Sequence, residues 1–175
     1  MHFIIAGGTG LIGQHLVAYW LKAGHEITVL GRDKARIQKR FGQTVNALHW
    51  DELTPGALGG VDGIVNLAGA NLGEKRWDEA RKKLIISSRV ETTKALAIVI
   101  ANTPNAPKLY NASAIGVYGL QKQEGDQFPP RLDESTPIDW DNAPDFLSQV
   151  GRAWEKAAEP ALAVHKPVVF LRFGI

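Results

Sequence analysis

An apolar run of strand length, His2-Phe3-Ile4-Ile5-Ala6, opens the chain and breaks at a glycine cluster, Gly7-Gly8-Thr9-Gly10-Leu11-Ile12-Gly13. Apolar residues then recur at helical spacing, at Leu11, Ile12, Leu16, Val17, Trp20 and Leu21. Gly24, following Lys22 and Ala23, suits the residue just past that helix. Glu26 to Leu30 predicts a second strand and Thr44 to Trp50 a third. Asp62 to Gly69 predicts a fourth, and its nearly unbroken apolar character suits burial in a parallel sheet. A long helix is expected from about Asp78 to Ala101, closed by Asn102 and Pro104. Leu109 to Ala112 predicts a fifth strand. A proline-broken segment carrying Pro129, Pro130, Pro137 and Pro144 then reads as irregular loop. Another helix begins near Asp145, with Leu147, Val150, Trp154, Ala158 and Ala161 on one face, and Pro160 kinks it or ends it early. Pro167 to Arg172 predicts a sixth strand.

Strand and helix alternate throughout, which implies a parallel sheet with right-handed crossovers. The expected fold is α/β: a doubly wound, mainly parallel Rossmann sheet of six strands. Its ligand crevice would lie at the carboxyl ends of the first and fourth strands. The 175 residues make one domain, spanning 1–175, and 45% hydrophobic residues are enough for a core. No internal repeat or low-complexity tract interrupts this pattern.

The glycine cluster is where chemistry enters. Gly7 allows a tight turn off the strand, Gly10 lets backbone approach a pyrophosphate, and Gly13 lets the helix pack closely on the sheet. Thr9, Leu11 and Ile12 lie among the backbone groups at the helix start, where free N–H groups and the positive dipole end favour phosphate. The strand before the cluster and the helix after it supply the context that distinguishes a dinucleotide site from a plain turn. The end of the second strand then bears on which nicotinamide cofactor fits. An NAD site usually has an acid there, about 20 residues past the glycines, to hold the ribose hydroxyls. Here the run is Leu30-Gly31-Arg32-Asp33-Lys34. Gly31 leaves room, and Arg32 can clamp a 2′-phosphate with its planar fork, with Lys34 and Arg36 adding positive field. That favours NADP. Asp33 points the other way if the register moves by two, and the charges could also be plain solvated loop.

Composition narrows the rest. The net charge of +2, despite a sequence pI near 8.9, does not call for nucleic acid. With no cysteine there are no disulfides or thiolate metal sites, which suits a reducing, cytoplasmic setting. No apolar run reaches the roughly 20 residues that a membrane span needs. No basic segment or cleavage site precedes the first strand, so no secretion signal is expected. The five histidines are scattered without ligand spacing, so no metal site is expected. Nothing in the pattern sets an oligomeric state.

Taken together these residues resemble the extended or atypical short-chain dehydrogenase/reductases. The nearest resemblance is to the nucleotide-sugar epimerase branch that is cell-division-inhibitor-like. Besides the glycine turn, the resemblance is carried by several pieces. These are His49-Trp50-Asp51-Glu52-Leu53, Asn66-Leu67-Ala68-Gly69 with Asn71, Arg76-Trp77, and Ser88-Arg89 with Thr92. Phe146-Leu147 with Trp154-Glu155, and Leu171-Arg172-Phe173-Gly174-Ile175, complete it. The resemblance implies a smaller C-terminal substrate domain beyond the sixth strand, which this chain lacks. It implies that Asn66, Leu67, Ala68 and Gly69 lie beside the ribose and nicotinamide, where the residues alone are equally a buried strand running into a turn. It implies that Arg89 faces the cofactor phosphates, where the sequence alone gives a surface charge. Lys75, Arg76, Arg81, Lys82 and Lys83 form either an attractive field for an anionic substrate or a solvated helix face.

The family's proton-transfer pair is a Tyr-x-x-x-Lys on the helix before the sixth strand, with a Ser or Thr at the end of the fifth. Here Ser113 is the candidate hydroxyl, but Phe146 to Gly151 holds neither tyrosine nor lysine. Tyr118 is the phenol left nearby, either an acid or a structural residue. Two functions stay open. One is an NADP-dependent epimerase or oxidoreductase acting on a small molecule such as a nucleotide sugar. The other is an NADP(H)-sensing protein without turnover.

Overall fold

Alternation within the first strand places it at the centre of the molecule. In β1 (His2–Ala6), Ile4 and Ala6 face one side of the sheet and Ile5 the other, each at most 1% exposed. Both faces of a central strand must be apolar, which is why the run shows no polar alternation. The computed structural model describes residues 1–119 and 131–174.

The remaining elements follow in chain order: α1 (Leu11–Lys22), β2 (Glu26–Gly31), α2 (Lys34–Phe41), β3 (Asn46–His49), β4 (Gly63–Asn66), α3 (Glu79–Ala101), β5 (Lys108–Ala114), α4 (Phe146–Lys156), α5 (Glu159–Leu162) and β6 (Val168–Phe173). The strands form one sheet in the order β3-β2-β1-β4-β5-β6, and every neighbouring pair is parallel. The doubly wound parallel fold expected from the alternation is the one formed. Chain direction across the sheet reverses between β1 and β4, which opens a crevice at their carboxyl ends. Ile5, Val17, Ile27, Val29 and Ile37 pack on one face under α1 and α2. Ile4, Leu30, Ile64, Leu96, Ile100 and Leu109 pack on the other, mainly under α3.

Element boundaries move in a few places. Lys34–Phe41, read from the sequence only as charges after the second strand, is the helix α2; a single buried residue, Ile37, ties it to the sheet. The fourth strand ends at Asn66, so Leu67 to Gly69 belong to the turn beyond it. The third is confined to Asn46–His49, between short 3-10 turns at Gly42–Thr44 and Trp50–Glu52. The fifth reaches Ala114, which brings Ser113 within the strand. The helix near Asp145 is two pieces. Asp145 caps α4 by accepting from the Ser148 N–H at 3.0 Å, and Pro160 stands in the first turn of α5. Pro137 and Pro144 lie outside any helix or strand, as expected, whereas Pro129 and Pro130 fall outside the described residues. Among the described residues, no helix is long and apolar enough to cross a membrane.

Candidate functional site

The glycine turn is built by contact between two loop backbones at the crevice. Gly7 has φ +77°, and a Cβ there would stand 2.7 Å from the carbonyl carbon of Leu67. The turns leaving β1 and β4 therefore touch, and only glycine fits both the angle and the approach. A Cβ on Gly13 would strike the Gly7 carbonyl and lie 2.7 Å from the Gly8 Cα, which is how α1 seats so close to β1. Gly10 is exposed and less crowded, with one contact at 3.2 Å for an added Cβ. It precedes α1 with no side-chain cap and no acid in the first turn, so the amide groups of that turn are open to an anion. Leu11 and Ile12, 79% and 50% exposed, put apolar surface beside those amides, and Thr9 is half-buried next to them.

Across the crevice a buried polar network fixes the Asn66–Gly69 turn. Asn66 is fully buried and is the register partner of Asn111. Its Nδ2 donates to Asn111 Oδ1 at 2.7 Å and to Thr93 Oγ1 at 3.1 Å, while its Oδ1 accepts from the Ala68 N–H at 3.2 Å. Trp154 Nε1 donates to the same Thr93 hydroxyl at 3.0 Å. Strands β4 and β5 and helices α3 and α4 thus meet at one satisfied cluster, and the turn is held by it. Gly69 lies over Arg89, whose Cγ and Cζ would each be 3.2 Å from an added Cβ.

At the end of β2 the charges fall into distinct roles. A Cβ on Gly31 would reach Ile37 Cδ1 at 3.1 Å, so α2 packs over that position. Asp33 caps α2, its Oδ1 accepting from the Arg36 N–H at 2.9 Å. Lys34 is held by both carboxylate oxygens of Glu52, at 2.9 and 3.0 Å. Glu52 also accepts from the His49 N–H; that bond first, and Lys34 next, hold its carboxyl below the usual range. Arg32 is exposed, and its guanidinium has no hydrogen bond or ion pair among the described residues. Between the glycine turn and α2, a cleft of about 410 Å³ is lined by Thr9, Gln14, Arg36, Lys39 and Arg40, three cations and no acid. Arg40 donates to Gln14 Oε1, and Gln14 Nε2 to the Thr9 carbonyl at 2.8 Å, which fixes the cleft floor to the glycine turn.

Arg89 is not the surface charge that its sequence context alone gives. It is 8% exposed, its Nη1 donates to the carbonyls of Ala70 and Ile85, its Cζ lies 4.9 Å from the Trp154 ring centroid, and its Nε has no partner among the described residues. Burial, and then the nearby Arg81 charge, push its pKa down. The basic group around it also divides. Arg81 is buried and donates to the Asn71 carbonyl and Glu74, and Lys82 pairs with Glu79.

Beyond Arg89 opens a cavity of about 520 Å³, lined by Ser113, Tyr118, Arg89 and, from α4, Leu147, Val150 and Trp154. The structure brings both candidate hydroxyls to it. It also joins them through two residues whose roles the sequence did not disclose. Ser113 donates to Glu155 Oε1 at 2.6 Å; Arg172 grips Glu155 with Nε and Nη2, both at 2.9 Å, and donates to the Tyr118 hydroxyl through Nη1 at 2.7 Å. Hydrogen bonding to Glu155 raises the Arg172 pKa, against the opposing effect of burial. Ser113 and Arg172 are register partners in β5 and β6, so their side chains share a sheet face. That relation could have been found by aligning the two strands. Ser113 meets its acid directly, with no histidine between them, so among the described residues this pair is not a nucleophilic triad.

Comparison with known proteins fits this geometry. The model of the NAD dependent epimerase/dehydratase family matches residues 3–141. The epimerase family protein Mb2239 of Mycobacterium bovis is 38% identical over 98% of this chain and 52% of its own. YfhF of Bacillus subtilis is 31% identical over 100% of this chain and 55% of its own. Among solved structures, human epimerase family protein SDR39U1 with NADPH superposes with a TM-score of 0.75 at 31% identity, covering 98% of this chain and 53% of that one. The nucleoside-diphosphate sugar epimerase from Corynebacterium glutamicum gives 0.71 at 32% identity, covering 98% and 33%. The chain spans about half the length of the relatives it matches. By fold, glycine turn and family match, it belongs to the NAD-dependent epimerase/dehydratase family.

Proposed function

We propose that this chain binds NADP(H) and serves as the cofactor-binding half of a protein acting on a nucleotide-sugar-like small molecule. The observation that carries this reading is the pairing of the Gly7–Gly13 turn with the acid-free cationic cleft beside it. The residues fit the cofactor. Gly7, Thr9, Gly10, Leu11, Ile12 and Gly13 would take the pyrophosphate at the start of α1. Arg32, with Gly31 behind it and Arg36 in the cleft, would take the 2′-phosphate by bidentate contact. Asn66, Leu67, Ala68 and Gly69 would lie along the ribose and nicotinamide, and Arg89 would balance phosphate charge from below Gly69. The bound nicotinamide supplies reversible hydride exchange. The NADPH in the human relative's structure supports the same choice. A cytoplasmic setting agrees with the absence of cysteine.

A second reading, a sensor of NADP(H) without turnover, is favoured by one observation. The face that α4 turns to the cavity is Leu147, Val150 and Trp154, with no phenol or amine to exchange a proton. Both readings require the cofactor, so calorimetric titration of the chain with NADPH and with NADH tests their common part. NADPH should bind at least about tenfold more tightly, as a charge-assisted pair of hydrogen bonds warrants. Equal affinities would remove the 2′-phosphate from the proposal, and no binding of either would remove the whole of it.

A further inference from the structure

The buried carboxylate of Glu155 fixes what Ser113 can offer a ligand. Glu155 is 3% exposed, and Arg172 donates to both of its oxygens at 2.9 Å. A carboxylate gripped this way only accepts, so the proton in the 2.6 Å contact with Ser113 belongs to the serine. A serine hydroxyl has one proton and two lone pairs. With that proton directed at Glu155, Ser113 has lone pairs left for the cavity it lines. Reversing the hydroxyl would leave a buried charged acceptor short of one donor, which is more costly than losing a bond between neutral groups. The arrangement is held from three sides: β5 supplies Ser113, α4 supplies Glu155, and β6 supplies Arg172 at the position in register with Ser113.

We infer that Ser113 acts in this cavity as a hydrogen-bond acceptor, so that the cavity selects a ligand presenting a hydroxyl proton over one presenting a carbonyl oxygen at the same place. Glu155 and Arg172 are positioning residues for that choice. Leu72, Ile115, Leu147 and Val150 make most of the remaining wall apolar, with Arg89 and Tyr118 as its other polar groups, so the donor is carried on a ring or chain that is largely apolar. The inference concerns the substrate side and does not depend on which cofactor binds.

Cyclohexanol and cyclohexanone test it, because they match in size and differ in the hydrogen bond they can make. Each is titrated into the 175-residue chain without nicotinamide, and binding is followed by chemical shifts of the cavity residues. The alcohol should bind about three- to tenfold more tightly than the ketone, the worth of one neutral hydrogen bond. Ser113→Ala should abolish that preference by weakening the alcohol alone. Glu155→Gln, whose amide can donate to Ser113 and release its proton, should move the preference toward the ketone. If Glu155→Gln does not fold, Ser113→Ala decides the matter, since it leaves the Glu155–Arg172 pair intact. Equal affinities, a preference for the ketone, a preference that survives Ser113→Ala, or no binding of either probe up to its solubility limit would overturn the inference. Failure of NADPH to bind would leave this result unmoved, so the two proposals fail separately.

Discussion

Asp33 Oδ1 lies 2.9 Å from the backbone nitrogen of Arg36 and closes the first turn of α2. The acid nearest the end of β2 is thus a helix cap, while Arg32 beside it has no protein partner among the described residues. If Arg32 holds a 2′-phosphate, Arg32→Ala weakens NADPH by about 1.5 to 3 kcal/mol, the worth of hydrogen bonding to a charged group. NADH affinity hardly moves. Calorimetry with both cofactors on both proteins measures the difference, and equal losses would mean that Arg32 does not read the phosphate.

The capping role of Asp33 has its own signature. Asp33→Ala should lower stability by about 1 kcal/mol, seen in thermal or urea unfolding, and Asp33→Asn should restore most of it. Neither change should weaken NADH. A loss of NADH affinity in Asp33→Asn at unchanged stability would return Asp33 to the ribose.

Gly10 and Gly13 separate binding from folding. A Cβ at Gly13 collides with the backbone of Gly7 and Gly8, so Gly13→Ala forces α1 off the sheet and should cost about 1 to 3 kcal/mol of stability. At Gly10 the added carbon meets a single atom at 3.2 Å. Gly10→Ala should therefore fold nearly as well as wild type and still lose NADPH, because its methyl would stand where the proposed pyrophosphate approaches. Unfolding midpoints read beside titrations distinguish the two; full NADPH affinity in Gly10→Ala would remove the pyrophosphate from that turn.

The sheet was legible because its signal is local. Phe3 to Ala6, Glu26 to Leu30 and Asp62 to Asn66 are apolar runs broken by glycine or charge, and a buried parallel strand leaves no other trace. The helix α2 leaves little trace in the sequence because Ile37 is its one buried residue and most of the others are charged or polar. The end of β2 was legible in composition and not in role, since capping, ion pairing and phosphate binding use the same residue types. Glu155 and Arg172 could not be assigned from spacing along the chain. Their partnership with Ser113 exists because two strands pair in register and a helix 42 residues further on lies across them.

Arg89 offers a sharper test of where phosphate charge goes. Among the described residues it is buried without a carboxylate, so replacing it with methionine removes a cation uncompensated by them while giving up hydrogen bonds to Ala70 and Ile85. These effects oppose one another, and stability should stay within about 1 kcal/mol of wild type. Binding should not be neutral. Pyrophosphate should raise the Tm of wild type and leave Arg89→Met unmoved, with NADPH affinity falling in parallel. A variant that keeps both responses would make Arg89 a packing residue under Gly69.

The chain by itself should show no turnover of UDP-glucose with NADP⁺, even where it binds the cofactor. Oxidation of an alcohol needs a group that takes the hydroxyl proton as hydride leaves carbon, and losing a positioned one costs about 10² to 10⁴ in rate. Leu147 and Gly151 have the spacing of a Tyr-x-x-x-Lys pair on α4, and Leu147 lines the cavity. A lysine at 151 has no room, because its Cβ would lie 2.8 Å from Val117 Cγ1 and 3.2 Å from the Val117 nitrogen. Leu147→Tyr alone should thus restore no rate, since the lysine that would activate the phenol cannot be added beside it. Ser113 is no substitute while its proton is held by Glu155. Tyr118, whose oxygen accepts from Arg172 at 2.7 Å, is the one phenol among the described residues lining the cavity. Steady-state absorbance at the reduced nicotinamide band, with wild type and Tyr118→Phe side by side, decides the point. Turnover in wild type that vanishes in Tyr118→Phe would overturn the claim and make Tyr118 the group that moves the proton.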